Sequence, residues 1–285
     1  MKNIVIIGTG PAGISSALYT VRAGIDTTVI GKGIGALEKA EKIENYYGFP
    51  EPVTGRELIE NGIAQAKRMG VKIITDEVVG LGYDEKLRVK ATLGEHSADC
   101  IILTTGTSRK TPAIQGILEY EGRGVSYCAV CDAFFYRKKD VAVLGCCEYA
   151  LKEAMELLPV VNSVTLITNG TEPIPKIPPE IKIIPKKIKE FAGNQVLEKV
   201  IFEDSTEIPV AGVFVAVGVA GSVDLAKKIG IITDGNIIVV DDRMATNVPG
   251  VYAAGDCTGG MLQIAKAVYQ GAVAGTEAVK YIRRM

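Results

Sequence analysis

Apolar positions along this chain come in short runs that open onto glycine-rich turns. Ile4 to Ile7 is such a run and predicts a buried strand. It leads into Gly8-Thr9-Gly10-Pro11-Ala12-Gly13, after which Ile14 to Ala23 is apolar on most sides and free of proline, which predicts a packed helix. Gly24 ends that helix, and Asp26 to Ile30 predicts a second strand. The same order returns later: a strand from Asp140 to Leu144 into Gly145, a helix from about Tyr149 to Leu158, and a strand from Ser163 to Thr168. Pro173 to Lys187, rich in Pro, Ile and Lys, reads as an irregular connection or short edge strands. Near the end, Gly250 to Asp256 predicts a strand closing on Gly-Asp, followed by a helix from about Gln263 to Arg284.

Strand, glycine turn, helix, strand is the setting that a dinucleotide fingerprint requires, and Gly8 to Gly13 fits G-x-G-x-x-G within it. Gly8 allows the tight turn, Gly10 lets backbone approach a pyrophosphate, and Gly13 lets helix and strand pack closely, with the helix N-terminus facing the anion. The acidic residue usual after the second strand is absent; Gly31 stands there. In the second unit the pattern is damaged. Gly145-Cys146-Cys147-Glu148-Tyr149-Ala150 places Cys147 where the middle glycine belongs, and Thr168-Asn169-Gly170 carries no arginine pair for a 2′-phosphate. The expected fold is α/β, with two Rossmann-like, three-layer βαβ nucleotide-binding domains, the second inserted in the first. Residues 1–110 and 243–285 form the first domain, and 111–242 the central one.

A chain of 285 residues suits roughly two domains, in agreement with that pattern. The formal net charge of −1 gives no global field toward nucleic acid or an anionic membrane. Arg137-Lys138-Lys139 reads as a solvated turn. No apolar run reaches the roughly 18 to 20 residues that cross a bilayer, and the N-terminus lacks the series of a signal peptide, so a cytoplasmic protein is expected. In that compartment the six cysteines are not a disulfide framework, and most are buried thiols by default.

Cys128-Ala129-Val130-Cys131-Asp132 is the most informative stretch. A C-x-x-C pair serves zinc, a structural disulfide, inert thiols or redox exchange. Zinc needs about four ligands, and this chain has one His, His96, and no second C-x-x-C. A structural disulfide is out of place in a reducing compartment. A redox-active pair is the reading that uses the motif, and no metal is expected. Thiol–disulfide exchange needs a thiolate attacker and a proton for the leaving sulfur. Asp132 is a candidate acid for the latter, and alternatively the N-cap of a helix from Ala133. Cys146 and Cys147 read as packing, because adjacent cysteines rarely bond without strain. Cys100 reads as core, Cys257 has no assigned chemistry, and His96 is expected in a polar surface loop.

In this order the motifs resemble the low-molecular-weight thioredoxin reductases over the whole chain. The resemblance is carried by Gly8 to Gly13, Ile43-Glu44-Asn45-Tyr46-Tyr47-Gly48-Phe49, Thr104-Thr105-Gly106, Gly122 to Tyr136, Thr246 to Gly250 and Ala253-Ala254-Gly255-Asp256. It implies an FAD domain from both chain ends, a central pyridine-nucleotide-like domain carrying the C-x-x-C, and a homodimer. It implies that Gly8, Gly10 and Gly13, with Pro11 and Ala12, hold the FAD pyrophosphate. Asn45 would lie near the flavin ring, Asp256 with Gly255 at the ribityl–phosphate region, and Gln263 and Ile264 at the ring's pyrimidine end; Gly106 belongs to the same cofactor set. Cys131 would be the sulfur nearer the flavin, and Cys128 the one that attacks thioredoxin. The departures at Cys147 and at the missing arginines resemble family variants that take electrons from reduced ferredoxin or a reduced deazaflavin instead of NADPH. Two other functions compete: a flavin NAD(P)H oxidoreductase without a disulfide substrate, against which the C-x-x-C argues, and a non-enzymatic FAD-binding redox sensor.

Overall fold

The structure is a computed structural model that describes residues 2–33, 35–40, 42–106, 112–127, 129–172, 177–217 and 221–285, with backbone alone at Ala36, Lys39, Val130 and Cys131. The chain forms two compact units, Met1–Ser108 with Gly221–Met285, and Arg109–Ala220. One is nested in the other, but the return to the first unit falls at Gly221 rather than at 243. The segment after Gly221 is held there by its own bonds: Ser222 Oγ donates to Gly106 O at 3.3 Å, and Lys228 Nζ to Val79 O at 3.4 Å.

The first unit opens with β1 (Asn3–Ile7), α1 (Pro11–Arg22), β2 (Asp26–Gly31), α2 (Gly55–Arg68) and β3 (Lys72–Thr75). It continues through β4 (Val78–Asp84), β5 (Lys86–Ala91) and β6 (Gly94–Ala98) to β7 (Cys100–Leu103). The second unit holds β8 (Val125–Ser126), α3 (Ala129–Asp132), β9 (Asp140–Leu144), α4 (Glu148–Leu157), β10 (Ser163–Ile167) and β11 (Ile181–Ile184). It ends with β12 (Ile188–Gly193), β13 (Leu197–Phe202), β14 (Glu207–Pro209) and β15 (Gly212–Val215). The first unit then resumes with α5 (Ser222–Lys227), β16 (Thr233–Asp234), β17 (Ile237–Ile238), β18 (Val251–Ala253) and α6 (Ile264–Arg284).

Each unit is built on a parallel five-stranded sheet, ordered β18-β7-β1-β2-β3 in the first and β11-β10-β9-β15-β8 in the second. These are the Rossmann-like α/β folds that the sequence predicts. The inner strands β1, β7, β9 and β15 are almost wholly buried, as parallel strands covered on both faces must be, while the edge strands β3 and β11 are not. Each unit also carries a three-stranded antiparallel sheet, β4-β5-β6 and β12-β13-β14, that the apolar pattern did not announce. His96 belongs to one of them: it is half-buried in β6 opposite Val89, not in a surface loop.

The helix after the fingerprint starts at Pro11, three residues before the expected Ile14, because proline fits the first helical position, where an N–H is not needed. Its small residues then meet α6. A β-carbon on Gly271 would overlap the Ala12 carbonyl, and one on Gly275 would lie 2.7 Å from Ser16 O. Ser15 Oγ and Ser16 Oγ donate across the contact to Val268 O at 2.8 Å and Gly271 O at 2.9 Å. The two ends of the chain are thereby one packed pair.

Gly10 and Gly13 respond oppositely to a methyl group. A β-carbon at Gly13 collides with the Gly8 carbonyl, whereas one at Gly10, at φ −73°, meets nothing within 4 Å. Gly13→Ala is therefore expected to cost about 1–3 kcal/mol or more of stability. Gly10→Ala should leave the apo-protein melt within about 0.5 kcal/mol of the parent. Thermal unfolding of the two variants without added cofactor checks this; equal destabilisation would refute it.

Candidate active site

The first fingerprint forms a turn with an accessible helix end. Gly8 has φ +118°, and a β-carbon there would lie 2.5 Å from Thr104 O. Gly10 is the N-cap of α1, with extended backbone and no side-chain cap, and the first turn of α1 holds no acid. The partial positive charge of that terminus is left for a ligand, and the space beside Gly10 accepts one. Gly31 also acquires a reason: a β-carbon there would come within 2.9 Å of the Thr9 side chain, so a larger residue at this place would require Thr9 to shift. Lys32 follows instead, paired with buried Glu77 at 2.5 Å.

The turn after β18 closes on this helix end. Gly255 has φ +86°, and its built β-carbon meets the Ala12 methyl at 2.9 Å, which places Asp256 beside the head of α1. Asn45 Nδ2 donates to Gln263 Oε1 at 3.0 Å, at the N-cap of α6, just before Ile264. Two residues far apart in sequence are thus in contact. Gly106 has φ +74°, with open space at its β-carbon position. Lys266 and Gln270, which the sequence did not single out, both reach the same turn: Lys266 Nζ donates to Gly255 O at 2.9 Å, and Gln270 Oε1 accepts from Gly255 N at 3.0 Å.

The second fingerprint is equivalent in backbone and different in chemistry. Cys147 is the N-cap of α4, with φ −124° and ψ 175°, the role that Gly10 has on α1. Its Sγ lies 3.8 Å from Ala216 O. Glu148 follows in the first turn, so this helix end already faces a carboxylate. At the end of β10 there is no arginine pair, but Lys187 comes close: its aliphatic stem lies 2.7 Å from a β-carbon built on Gly170. Lys186 is engaged elsewhere, by Asp204 at 2.7 Å.

Of the cysteine pair, Cys128 lies outside the described residues, and Cys131 is described by its backbone within α3. Described residues near them in sequence have defined partners. Asp132 does not cap the following helical turn; its Oδ2 accepts from Ser126 Oγ at 2.7 Å. Burial, and then the Asp132 charge, push the Tyr136 hydroxyl to a higher pKa. Glu153 of α4, 1% exposed, accepts from Ala129 N at 2.7 Å, at the head of α3 and next in sequence to Cys128. A buried acid on an apolar helix face is the signal that marks Glu153 in the sequence.

Cys100 is core, as expected, and burial followed by the Asp99 charge raises its pKa. Cys257 is buried with Sγ 3.3 Å from Ala254 O, its thiol pushed up to about 11 by burial. Cys146 and Cys147 are half-buried at the head of α4. Among the described residues no group of three or more His, Cys, Asp or Glu is arranged to hold a metal, and no helix is long and apolar enough to cross a membrane.

The model of the pyridine nucleotide-disulphide oxidoreductase family matches residues 2–271. The chain is 36% identical over 275 residues to the thioredoxin reductase of Aquifex aeolicus, covering 89% of this chain and 84% of that one. Among solved structures it is similar to the atypical thioredoxin reductase TRi of Desulfovibrio vulgaris Hildenborough, with a TM-score of 0.93, 43% identity and coverage of 100% and 99%. A ferredoxin-flavin thioredoxin reductase of Clostridium acetobutylicum matches at a TM-score of 0.74 and 30% identity, covering 99% and 98%. An intact first fingerprint, a C-x-x-C segment in a nested second unit and relatives matched over nearly their whole length agree: the chain belongs to the pyridine nucleotide-disulphide oxidoreductases and, among them, to the low-molecular-weight thioredoxin reductases.

Proposed function

We propose that this thioredoxin reductase-like oxidoreductase holds FAD in its first unit, reduces thioredoxin through Cys128 and Cys131, and takes its electrons from reduced ferredoxin, or a reduced deazaflavin, rather than from NADPH. The observation that carries the choice of donor is the contrast between the two helix ends. One offers Gly10, open space and no acid; the other offers Cys147 and Glu148. A pyrophosphate at α4 would meet a side chain and a like charge, and the Lys187 point charge does not replace a guanidinium pair. The neighbour from Clostridium acetobutylicum, named for ferredoxin, supports the same reading.

The first unit fits the cofactor: Gly8, Gly10, Pro11, Ala12 and Gly13 would receive the pyrophosphate, Gly255 and Asp256 the ribityl–phosphate stretch, and Asn45, Gln263 and Ile264 the ring, with Gly106 completing the set. When bound, FAD would supply electron pairs to a disulfide. Opening the Cys128–Cys131 disulfide consumes two electrons and two protons. The Cys128 thiolate attacks one sulfur of the thioredoxin disulfide, and the displaced sulfur takes a proton. Cys131 then attacks Cys128 Sγ, which re-forms the ring and releases the second thioredoxin sulfur. Asp132, held by Ser126, is the group that would move the proton. We place the protein in the cytoplasm as a homodimer.

The donor test is anaerobic bleaching of the flavin. Reduced ferredoxin is expected to bleach it and micromolar NADPH to leave it oxidised; rapid, saturable reduction by NADPH would restore the NADPH-dependent reading. Replacing the two obstructions together, as Cys147→Gly with Glu148→Ser, should improve the apparent NADPH affinity roughly tenfold or more.

Reductive titration tests the pair itself, because a disulfide in series with the flavin takes up twice the electrons of the flavin alone, and a redox sensor without turnover is separated by its failure to reduce thioredoxin. Cys131→Ser and Cys128→Ser are each expected to abolish thioredoxin reduction with FAD still bound, and normal turnover by the double variant would remove the pair from the mechanism.

In the reduced native protein at pH 8, iodoacetamide should label Cys128 and Cys131 but not Cys100 or Cys257, whose burial holds them as thiols well above that pH. Peptide mass spectrometry reads the pattern, and strong labelling of Cys257 would contradict its place in the core.

A further inference from the structure

The Gly255–Gly260 turn is held by two side chains of one helix. Lys266 and Gln270 are four residues apart on α6 and so share a face. Lys266 Nζ donates to Gly255 O at 2.9 Å, to Thr258 Oγ1 at 3.4 Å and to Gly259 O. All three of its protons have protein acceptors. Gln270 Oε1 accepts from Gly255 N at 3.0 Å and from Thr258 Oγ1 at 2.9 Å. Gly255, Gly259 and Gly260 all have positive φ, at 86°, 70° and 74°, a region open to glycine at no steric cost, so the turn loses much conformational freedom when it is held in one form. Asp256 lies within the turn, and its charge favours the Lys266 ammonium, against burial, which pulls the lysine's pKa below its ordinary value. A lysine whose three protons are spent on its own chain, in a place that costs hydration, has a task other than touching a ligand.

We propose that Lys266 and Gln270 are a clamp that presets the Gly255–Gly260 turn, and with it Asp256, against the head of α1 for the ribityl–phosphate part of FAD. The clamp grips Gly255 from both sides, carbonyl and amide, while the Ala12 methyl limits the turn on the third. Lys266 is a positioning residue: it acts on the cofactor through the backbone, and its positive charge offsets Asp256 where a phosphate would add further negative charge. The inference rests on the reading that this unit binds FAD.

The test uses full-length apo-protein and its Lys266→Met, Lys266→Arg, Gln270→Leu and Lys266→Met/Gln270→Leu variants. FAD affinity is read by quenching of flavin fluorescence, and the freedom of the turn by hydrogen exchange at residues 255–260. Lys266→Met and Gln270→Leu are each expected to weaken FAD binding roughly tenfold or more and to speed exchange in the turn. Their double variant should lose less than the product of the two, since either change releases the same turn. Lys266→Arg, which keeps the charge, should recover most of the affinity. Native-like affinity and exchange in Lys266→Met would overturn the proposal, as would a Lys266→Arg loss as large as that of Lys266→Met. If Lys266→Met does not fold, Gln270→Leu decides by the same two readouts. If the native protein binds no FAD, the cofactor reading fails alone, and exchange in the apo-protein still decides the clamp.

Discussion

A backbone approach with no room for a β-carbon organises the first unit. Gly13 lies against the Gly8 carbonyl, and Gly271 against the Ala12 carbonyl, so α1 is pressed both onto the turn that precedes it and onto α6 from the far end of the chain. Any larger residue at either place would move the helix, and everything at its head depends on that position: the uncapped N-terminus at Gly10, the Thr104 contact, and the Gly255 turn that meets Ala12. Dense packing of this kind turns a local glycine pattern into a long-range constraint, because a shift of an ångström cannot be absorbed by a close-packed core.

The second unit repeats the fold with a different residue set at its helix end. Gly145 keeps its packing role, since a β-carbon there would overlap the Ala216 carbonyl, while the next fingerprint position has become Cys147. The glycine needed to close the fold is present, and the position at the helix N-cap carries a side chain. Glu148 extends the change from sterics to charge, because a carboxylate in the first helical turn uses the same partial positive charge that a phosphate would. The unit also has a parallel sheet with its inner strands buried, and α4 supports the cysteine segment: Glu153 on its buried face holds the first amide of α3.

Around that segment the acids have different partners. Asp132 is fixed by the Ser126 hydroxyl, and Glu153 by a backbone amide. Tyr136, whose ring stacks edge-on to Phe214 with centroids 5.3 Å apart, has its hydroxyl kept protonated by burial and by the Asp132 charge. An acid held by one neutral hydroxyl retains free lone pairs for proton movement, which suits Asp132 to the exchange step better than a capping role would.

The sequence by itself determined the two βαβ cores, their nesting, the intact and damaged fingerprints and the C-x-x-C, because these are written in contiguous residues whose spacing has a direct steric meaning. Turn glycines, a proline at the first helical position and buried strands are local properties. Only the tertiary structure decided that the chain returns to its first unit at Gly221, that His96 pairs within a sheet, and that a side chain at Gly31 would crowd Thr9. Only it joined Asn45 to Gln263, brought Lys187 to Gly170, and set Lys266 and Gln270 on the turn that carries Asp256. These are contacts between distant segments of polar side chains, which leave no period in the sequence. Those at the Gly255 turn exist because α1 and α6, from opposite ends of the chain, pack closely against each other.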